Sequence, residues 1–465
     1  MRSLSAPGRG LRLFILLVGA LGISMTAYGQ ERAPIIFPNT QYEPVDWVDL
    51  DGWDSDDHAA AFAAFLTSCR TLDTKHRRER ESTAIPLALK DICEHAREAI
   101  PLDEDGARKF FEDNFRPIRI NRLGDSDGFL TGYYEPIISG SRVPTGEFTA
   151  PLYRRPPNLV VSGWRKLGKD AFPSKGALVG RRVGRRKIVP YYSRAEIEDG
   201  ALDGWHLEIC YLHDEVDVLF AQIQGSARIR LEDGTILRVN YDSHNGWPYT
   251  PVGHILVDDK IMTKDQVSMQ SIRAWMEANP DQAKELRREN KSYVFFRITD
   301  LATEDEAVGG EGVELVPGRS IAIDRALHAY GTPFFIEAEL PIANQKAQTK
   351  FDRLVIAQDT GSAIVGPARA DIYFGAGDEA ARIAGRIKNA GEFIMLLPRE
   401  LDPVEAGRDM PLPPERPGMF SGLSFSTMVD PTAVDPAAEE TPAEAKPAAA
   451  LTAAPKLNAK KRRQK

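Results

Sequence analysis

The chain has 465 residues, 42% hydrophobic and 27% charged, which suits two or three globular domains and excludes a disordered or membrane-embedded protein. A net charge of −8 argues against a general nucleic-acid binder, which is normally basic. No P-loop, no G-x-G-x-x-G at a strand–helix junction, no C-x-x-C and no H-E-x-x-H occurs, and the histidines have no ligand-like spacing, so neither a cofactor nor a metal is expected.

Taken in chain order, Arg2, Arg9 and Arg12 precede an apolar run over residues 13–25, and Ala27 and Gly29 supply small residues before Gln30. This pattern predicts a secretory signal peptide over residues 1–29 and a periplasmic protein. The run falls short of the roughly 20 residues of a membrane-spanning helix, an uncleaved anchor being the alternative. Residues 30–53 carry prolines and read as a wrapping arm. Asp56 or Asp57 can cap a helix to Leu72 whose apolar face is Ala61, Phe62, Phe65 and Leu66. A second helix is predicted over 85–100, and a third from a cap at Asp105 to Phe115.

From Ile118 the pattern changes to short strands between glycine and proline turns, the signature of an all-β body. Residues 206–240 read as strands joined at the hairpin signal Glu232-Asp233-Gly234. Residues 265–290 read as two helical pieces divided at Asn279-Pro280. Strands are predicted at 334–340, 353–358, 371–374 and 393–397. One helix interrupts them, capped by Asp378, with Ala380, Ile383, Ala384 and Ile387 on its apolar face and Gly391 at its end. After Arg399 the composition turns Pro/Ala/Glu-rich with a basic end, a disordered tail over 399–465.

Cysteines number three, Cys69, Cys93 and Cys210. In an exported chain Cys69 and Cys93 can pair if their helices are antiparallel neighbours; three buried free thiols are the alternative. Cys210 reads as core.

The chemistry concentrates in residues 358–377, Q-D-T-G-S-A-I-V-G-P-A-R-A-D-I-Y-F-G-A-G, where Asp359 and Asp371 flank a glycine-rich turn; Asp324 lies upstream in S-I-A-I-D. Asp371 stands directly before Ile-Tyr-Phe, which puts its carboxyl against apolar surface. A carboxyl so placed holds its proton more firmly, as a general acid near neutral pH requires, and glycoside cleavage is the leading chemistry. Asp359, before Thr-Gly, suits an Asx-type turn; close to Asp371, it would help keep that residue protonated.

These motifs resemble the 3D domain of the MltA family, the membrane-bound lytic murein transglycosylases A. Five further segments follow that family's order: G-F-L-T-G-Y-Y-E-P from Gly128, S-R-A-E-I-E-D-G-A-L from Ser193, Q-I-Q-G-S-A-R-I-R-L from Gln222, N-G-W-P-Y from Asn245 and S-Y-V-F-F-R from Ser292. The resemblance implies a mainly β fold with N-terminal helices. In it a double-psi β-barrel (3D) domain (30–138 plus 295–398) carries an inserted smaller β-barrel domain (139–294), and a groove between them takes a peptidoglycan glycan strand. It also implies a lyase that cuts the MurNAc–GlcNAc bond without water, the C6 hydroxyl closing on C1 to leave a 1,6-anhydro end. An intramolecular nucleophile lets one carboxyl act first as acid and then as base. On this sequence that residue is Asp371, with Asp359 and Asp324 as support.

Substrate contacts are expected from Tyr133, Tyr134 and Glu135 in the first signature and from Gln224, Gly225 and Ser226. Paired tyrosines can stack on sugar faces, but adjacent strand residues point oppositely, so only one readily faces the groove. Gln224–Ser226 would offer a polar turn to N-acetyl groups, a plain strand–turn junction being the alternative. The basic run Arg181, Arg182, Arg185, Arg186 and Lys187 could meet stem-peptide carboxylates but reads better as an exposed hairpin tip. No cysteine stands near the predicted cleavage site, so no lipid anchor is expected, though partners in wall remodelling are. Departures from the family pattern are Ser362 and Val365, where Gly and Lys are common, and Ala227, where Gly is common. Two other readings stay open: a hydrolase on the same scaffold, which would need a second carboxylate such as Glu135, and a non-catalytic murein-binding scaffold.

Overall fold

The computed structural model describes residues 39–72, 84–163, 172–174, 177–185, 187–344 and 347–402. The expected signal peptide, residues 30–38 of the arm and everything beyond Asp402 lie outside the described residues.

An exposed edge strand β1 (Thr40–Pro44) leads into three helices, α1 (His58–Leu72), α2 (Ala84–Ala99) and α3 (Glu104–Asn114). Asp57 starts α1 by accepting the Ala60 N–H at 2.9 Å. Asp56 turns inward and takes both nitrogens of the Arg319 guanidinium instead. The cap of α3 is Asp103, which accepts from Gly106; Asp105 lies in the first turn, where its charge suits the helix N-terminus. Along α1, Ala61, Phe62, Phe65, Cys69 and Leu72 recur every three or four residues and are buried. Cys69 and Cys93 form a disulfide tying α1 to α2, while Cys210 is a buried free thiol pushed up to about 12 by desolvation.

The strands that follow make two barrels. In chain order they are β2 (Phe115–Arg122), β3 (Gly128–Glu135), β4 (Ile137–Ser141), β5 (Ala150–Tyr153), β6 (Glu208–Leu212), β7 (Ser226–Leu231), β8 (Ile236–His244), β9 (Val294–Ile298), β10 (Ser320–Ile323), β11 (Pro333–Glu337), β12 (Arg353–Thr360), β13 (Arg369–Ala376) and β14 (Lys388–Pro398). In the first barrel the order is β14-β11-β12-β10-β13-β3, closed by pairing of β14 with β3; β2 and β1 extend the sheet beyond β14. Two neighbour pairs are parallel, β10 with β12 and β13 with β3.

Several strands of this barrel are buried on both faces, so they read as continuous apolar runs rather than alternating ones. Val355, Ala357, Phe393, Met395 and Leu397 point into the barrel, while Leu354, Ile356, Phe335, Ile394 and Leu396 meet helices α1 to α3. Each fully buried Phe in that helix–sheet layer, such as Phe65 or Phe111, is worth roughly 1.5–3 kcal/mol of transfer free energy.

The second barrel runs β9-β8-β7-β4-β6-β5 and closes through a bridge between Arg154, beside β5, and Phe296 in β9. The chain passes from the first barrel to the second at Pro136, between β3 and β4. It returns only after β9, so residues 295–298, expected with the first domain, belong to the second barrel, where Phe295 and Phe296 are core. A separate small sheet occupies part of 159–189; its strand Ala177–Val183 turns back on Lys187–Val189. The basic run therefore lies along a hairpin, with Arg182, Arg185 and Lys187 exposed, Arg181 over the Tyr192 ring, and Arg186 outside the described residues.

Three differences from the sequence reading have physical causes. Residues 206–240 are not all strand: Glu215–Gln224 form helix α5, after α4 (Arg194–Glu198). Packed against the barrel on one side through Val218 and Ala221 and against other helices on the other through Leu219 and Phe220, α5 is apolar nearly all round and has no helical stripe to read. The further helices are α6 (Val252–Asp258), α7 (Met269–Ala278), α8 (Pro280–Glu289) and α9 (Gly377–Ala384). Helix α9 has Ala376 as its N-cap and ends at Gly385, not Gly391; Asp378 sits in its first turn, and Ile387 and Gly391 belong to the approach and body of β14. The chain also stays packed past Arg399: Asp402 pairs with Arg116 at 2.8 Å and Leu401 is buried.

Candidate active site

Strand β13 alternates strictly. Ala370 and Ile372 enter the barrel core, which turns Arg369, Asp371 and Tyr373 to the opposite face. Its parallel neighbour β3 brings Thr131 opposite Asp371 and Tyr133 opposite Tyr373. The Thr131 hydroxyl donates to Asp371 Oδ1 at 2.7 Å. Arg369 donates to Thr131 Oγ1 at 2.8 Å and to the carbonyl of Ala370, and its guanidinium lies over the Phe129 ring.

Asp371 is half-buried, and desolvation pushes its carboxyl up to about 6. The nearby Arg369 guanidinium and the Thr131 hydrogen bond pull it down, and Asp359 raises it further. It is thus an acid poised just below neutrality.

Asp359, at the end of β12, accepts the Tyr133 hydroxyl at 2.8 Å, the Gly310 N–H at 2.7 Å and its own neighbour Thr360 N–H at 2.8 Å. Burial raises its pKa against those three donors. The N–H it accepts in its own turn is that of the next residue, Thr360, not the one two residues on that defines an Asx turn, and the carboxylate lies within electrostatic reach of Asp371. Asp324 is buried after β10 and accepts the N–H groups of Ala326 and Gly366, both at 3.0 Å. It stitches its own loop to the glycine-rich turn, where Gly366 adopts φ +123°, a conformation that favours glycine.

The expected sugar contacts divide. Tyr133 shares a face with Asp371, but its ring packs against Tyr373 and its hydroxyl is committed to Asp359. Tyr134 points the other way, and its N–H donates to Gln224 Oε1 at 2.9 Å. Gln224 is the last residue of α5 and Gly225, at φ +83°, its C-cap. Ser226 is buried at the start of β7, opposite Asn240, so the polar turn is a helix–strand junction fastened to β3 rather than an open surface.

Glu135 corrects two expectations at once. Its side chain is 1% exposed and its oxygens are taken by Arg228 Nε at 2.7 Å and Arg238 Nη2 at 3.0 Å. The same two guanidiniums bond the carbonyls of Ala302, Thr303 and Asp305. Glu135 is a latch where β3 leaves the first barrel, available neither to a sugar nor as a second catalytic carboxylate.

Sequence reasoning passed over Thr131 and Arg369, although both lie two residues from a chosen position on a strand, where a period of two puts them on the same face. It also passed over the Gly-Gly-Glu-Gly loop at 309–312. Tyr249, in the N-G-W-P-Y segment of the insert, has its phenol pushed up to about 12 by burial, with Arg194 opposing and Asp371 adding to the rise. The second barrel therefore comes within electrostatic reach of Asp371 through this ring.

A family model described as the MltA specific insert domain matches residues 129–297, and one described as the 3D domain matches 319–397. The chain is 33% identical over 270 residues to the membrane-bound lytic murein transglycosylase A of Escherichia coli K12, a match covering 57% of this chain and 65% of that protein. It is 31% identical over 300 residues to the Vibrio cholerae protein of the same name, covering 63% of this chain and 71% of the relative. A crystal structure of a membrane-bound lytic murein transglycosylase from Agrobacterium tumefaciens superposes with a TM-score of 0.68 at 34% identity, over 79% of this chain and 99% of that one. With two matched segments, a relative 31% identical over 71% of its length and this structural agreement, the chain belongs to the membrane-bound lytic murein transglycosylase A family.

Proposed function

We propose that this protein cleaves the MurNAc–GlcNAc β-1,4 bond of peptidoglycan by transglycosylation, with Asp371 as the single acid and base. The observation that carries the reading is Asp371 itself: a half-buried carboxyl held up to about 6, aimed by Thr131 and within electrostatic reach of Asp359. Protonated, it gives its proton to the glycosidic oxygen as the bond to C1 breaks. The C6 hydroxyl of the same MurNAc then bonds to C1, and the Asp371 carboxylate takes the hydroxyl proton, which restores the starting state. No water enters, so an intramolecular nucleophile replaces the second carboxylate of a hydrolase.

The supporting roles follow from charge. Asp359, held by three donors, keeps a negative field beside Asp371 that disfavours its early ionisation, and Asp324 supports the turn between them. We assign the first barrel as the catalytic domain and the insert, residues 137–298, as the opposite wall of the groove, with Tyr249 facing Asp371. The relatives' names place them on a membrane in murein metabolism, and we assign this chain to the cell envelope, exported through residues 1–29. Among the described residues no helix is long and apolar enough to cross a membrane.

Digesting purified peptidoglycan and weighing the released muropeptides tests the reading, with Asp371→Asn alongside. Products one water lighter than hydrolytic ones, absent with the variant, are expected. Full-weight reducing ends would make the protein a hydrolase, and binding without products from the wild type would make it a scaffold.

A further inference from the structure

We propose that Glu311 is a positioning residue for the chemistry at Asp371, fixing Asp359 from helix α1 through the loop of residues 309–312. The inference rests on the reading of Asp371 as the acid. Glu311 is buried although it sits in a Gly-Gly-Glu-Gly loop. Its carboxylate accepts the Ser68 hydroxyl at 2.7 Å and the Thr71 hydroxyl at 3.0 Å, both from the buried face of α1. Its own N–H donates to the Gln358 carbonyl at 3.0 Å, and the preceding N–H, of Gly310, donates to Asp359 Oδ1 at 2.7 Å. Two successive peptide groups of one loop therefore hold two successive residues of β12.

Helix α1 grips the same strand directly. The Gln358 amide donates to the Ala64 carbonyl and to Ser68 Oγ, both at 2.9 Å, so Ser68 joins the loop and the strand. The approach is too close for side chains. A Cβ at Gly309 would lie 2.5 Å from the Gln358 carbonyl oxygen, and one at Gly310 would lie 2.6 Å from the Tyr330 hydroxyl. Behind the loop, a cavity of about 500 Å³ is lined by Thr67, Thr71, Gly312 and Pro317 among others. The disulfide at Cys69, one residue from Ser68, anchors the helix end of the clamp.

The groups facing the two aspartates give the sign of the effect. Asp359 is met by Tyr133 from β3, by Tyr330 and by Asp371; Asp371 is met by Arg369, Thr131, Asp359, Tyr133 and, from the second barrel, Tyr249. Losing the Gly310 donor leaves half-buried Asp359 holding its proton to higher pH. Its field on Asp371 then weakens, and Asp371 ionises at lower pH.

Wild type, Glu311→Ala and Glu311→Gln are compared on soluble glycan strands, with circular dichroism to verify folding. Glu311→Ala should lower kcat by about 10- to 100-fold with KM within about twofold, and move the alkaline limb of kcat/KM to lower pH. Glu311→Gln should recover most of both, because its amide can accept from Ser68 and donate to the Thr71 oxygen. A Ser68→Ala, Thr71→Val double variant breaks the clamp from the helix side and should move the limb in the same direction. Carbon-13 titration of the Asp371 carboxyl reads the same shift without substrate. An unmoved Asp371 midpoint in folded Glu311→Ala, or losses in both Glu311 variants that only track the unfolded fraction, would overturn the coupling. A wild type that releases no anhydro ends, with the midpoint shift intact, would overturn the activity reading alone.

Discussion

Strand β3 supplies two carboxylate sites within five residues. Thr131 and Tyr133 serve Asp371 and Asp359; Glu135, on the same face, serves Arg228 and Arg238. Glu135 is buried and the two aspartates are half-buried, and the three differ in what meets them. Glu135 has two guanidiniums at hydrogen-bond distance, whereas Asp371 has one hydroxyl donor and a guanidinium that spends its hydrogen bonds on Thr131 and a carbonyl. The same strand thus braces a structural latch at one end and the carboxyl proposed as the acid at the other.

The sharpest way to break this contrast is to neutralise each site in turn. Asp371→Asn should cut product release by about 10²–10⁴-fold, the range for a general acid–base group. Its stability should move the other way. With a folded pKa raised from 3.8 to about 6, the fold binds a proton that the unfolded chain has released, so stability present at pH 3 declines as pH rises from about 4 to 6. Removing the carboxyl should therefore raise stability at pH 7 by up to about 3 kcal/mol and leave it unchanged near pH 3, as read by denaturant unfolding at both pH values.

Glu135→Ala should do the reverse. It takes the carboxylate from two guanidiniums whose side chains are 12% and 2% exposed, leaving them carbonyl acceptors and, for Arg228, Glu306 at 3.6 Å, at a cost of about 3 kcal/mol in the same unfolding measurement. A loss below about 1 kcal/mol would mean that the latch behaves as an exposed ion pair and that the contrast with Asp371 is false.

A smaller effect is expected away from both sites. Replacing Cys69 and Cys93 together by Ser releases a closure over 24 residues and should cost about 3 kcal/mol of global stability in the loop-entropy account. Because Cys69 adjoins Ser68, thermal unfolding and the pH profile should be followed together. A fall in stability with an unmoved profile would confine the disulfide to the scaffold.

How much of this was legible in the sequence follows the same physics. The raised carboxyl of Asp371 was anticipated from the apolar residues beside it in sequence, but Ala370 and Ile372 point to the other face, and burial on its own face, with Asp359 adding, lifts it. The helical pieces α7 and α8 were legible because Pro280 divides them, and α1 because its stripe repeats cleanly. Glu135 misled because its partners, Arg228 and Arg238, lie about a hundred residues away on β7 and β8; only the barrel register brings them to it. Helix α5 misled because it is sandwiched, although Asp214 and Gly225 mark its two ends as ordinary caps. The clamp at Glu311 was invisible for both reasons: a glycine-rich loop reads as a plain turn, and its partners stand some 240 residues earlier on α1.

The finest distinction concerns two hydroxyls on β3 that differ only in which aspartate they serve. Thr131 donates to Asp371 and stabilises its ionised form, so Thr131→Val should raise the Asp371 pKa and carry the alkaline limb of kcat/KM to higher pH. Tyr133 donates to Asp359 and favours its ionised form against burial, which raises its pKa. Tyr133→Phe leaves Asp359 protonated over a wider range, weakens the repulsion that lifts Asp371, and should carry the limb to lower pH. Each displacement should be under about one pH unit, since each removes one hydrogen bond among several contributions. Opposite directions in a pH–rate series would show that the two aspartates form one electrostatic unit with Asp371 as its acid. Equal directions would mean that Asp359 acts on the substrate rather than on its neighbour.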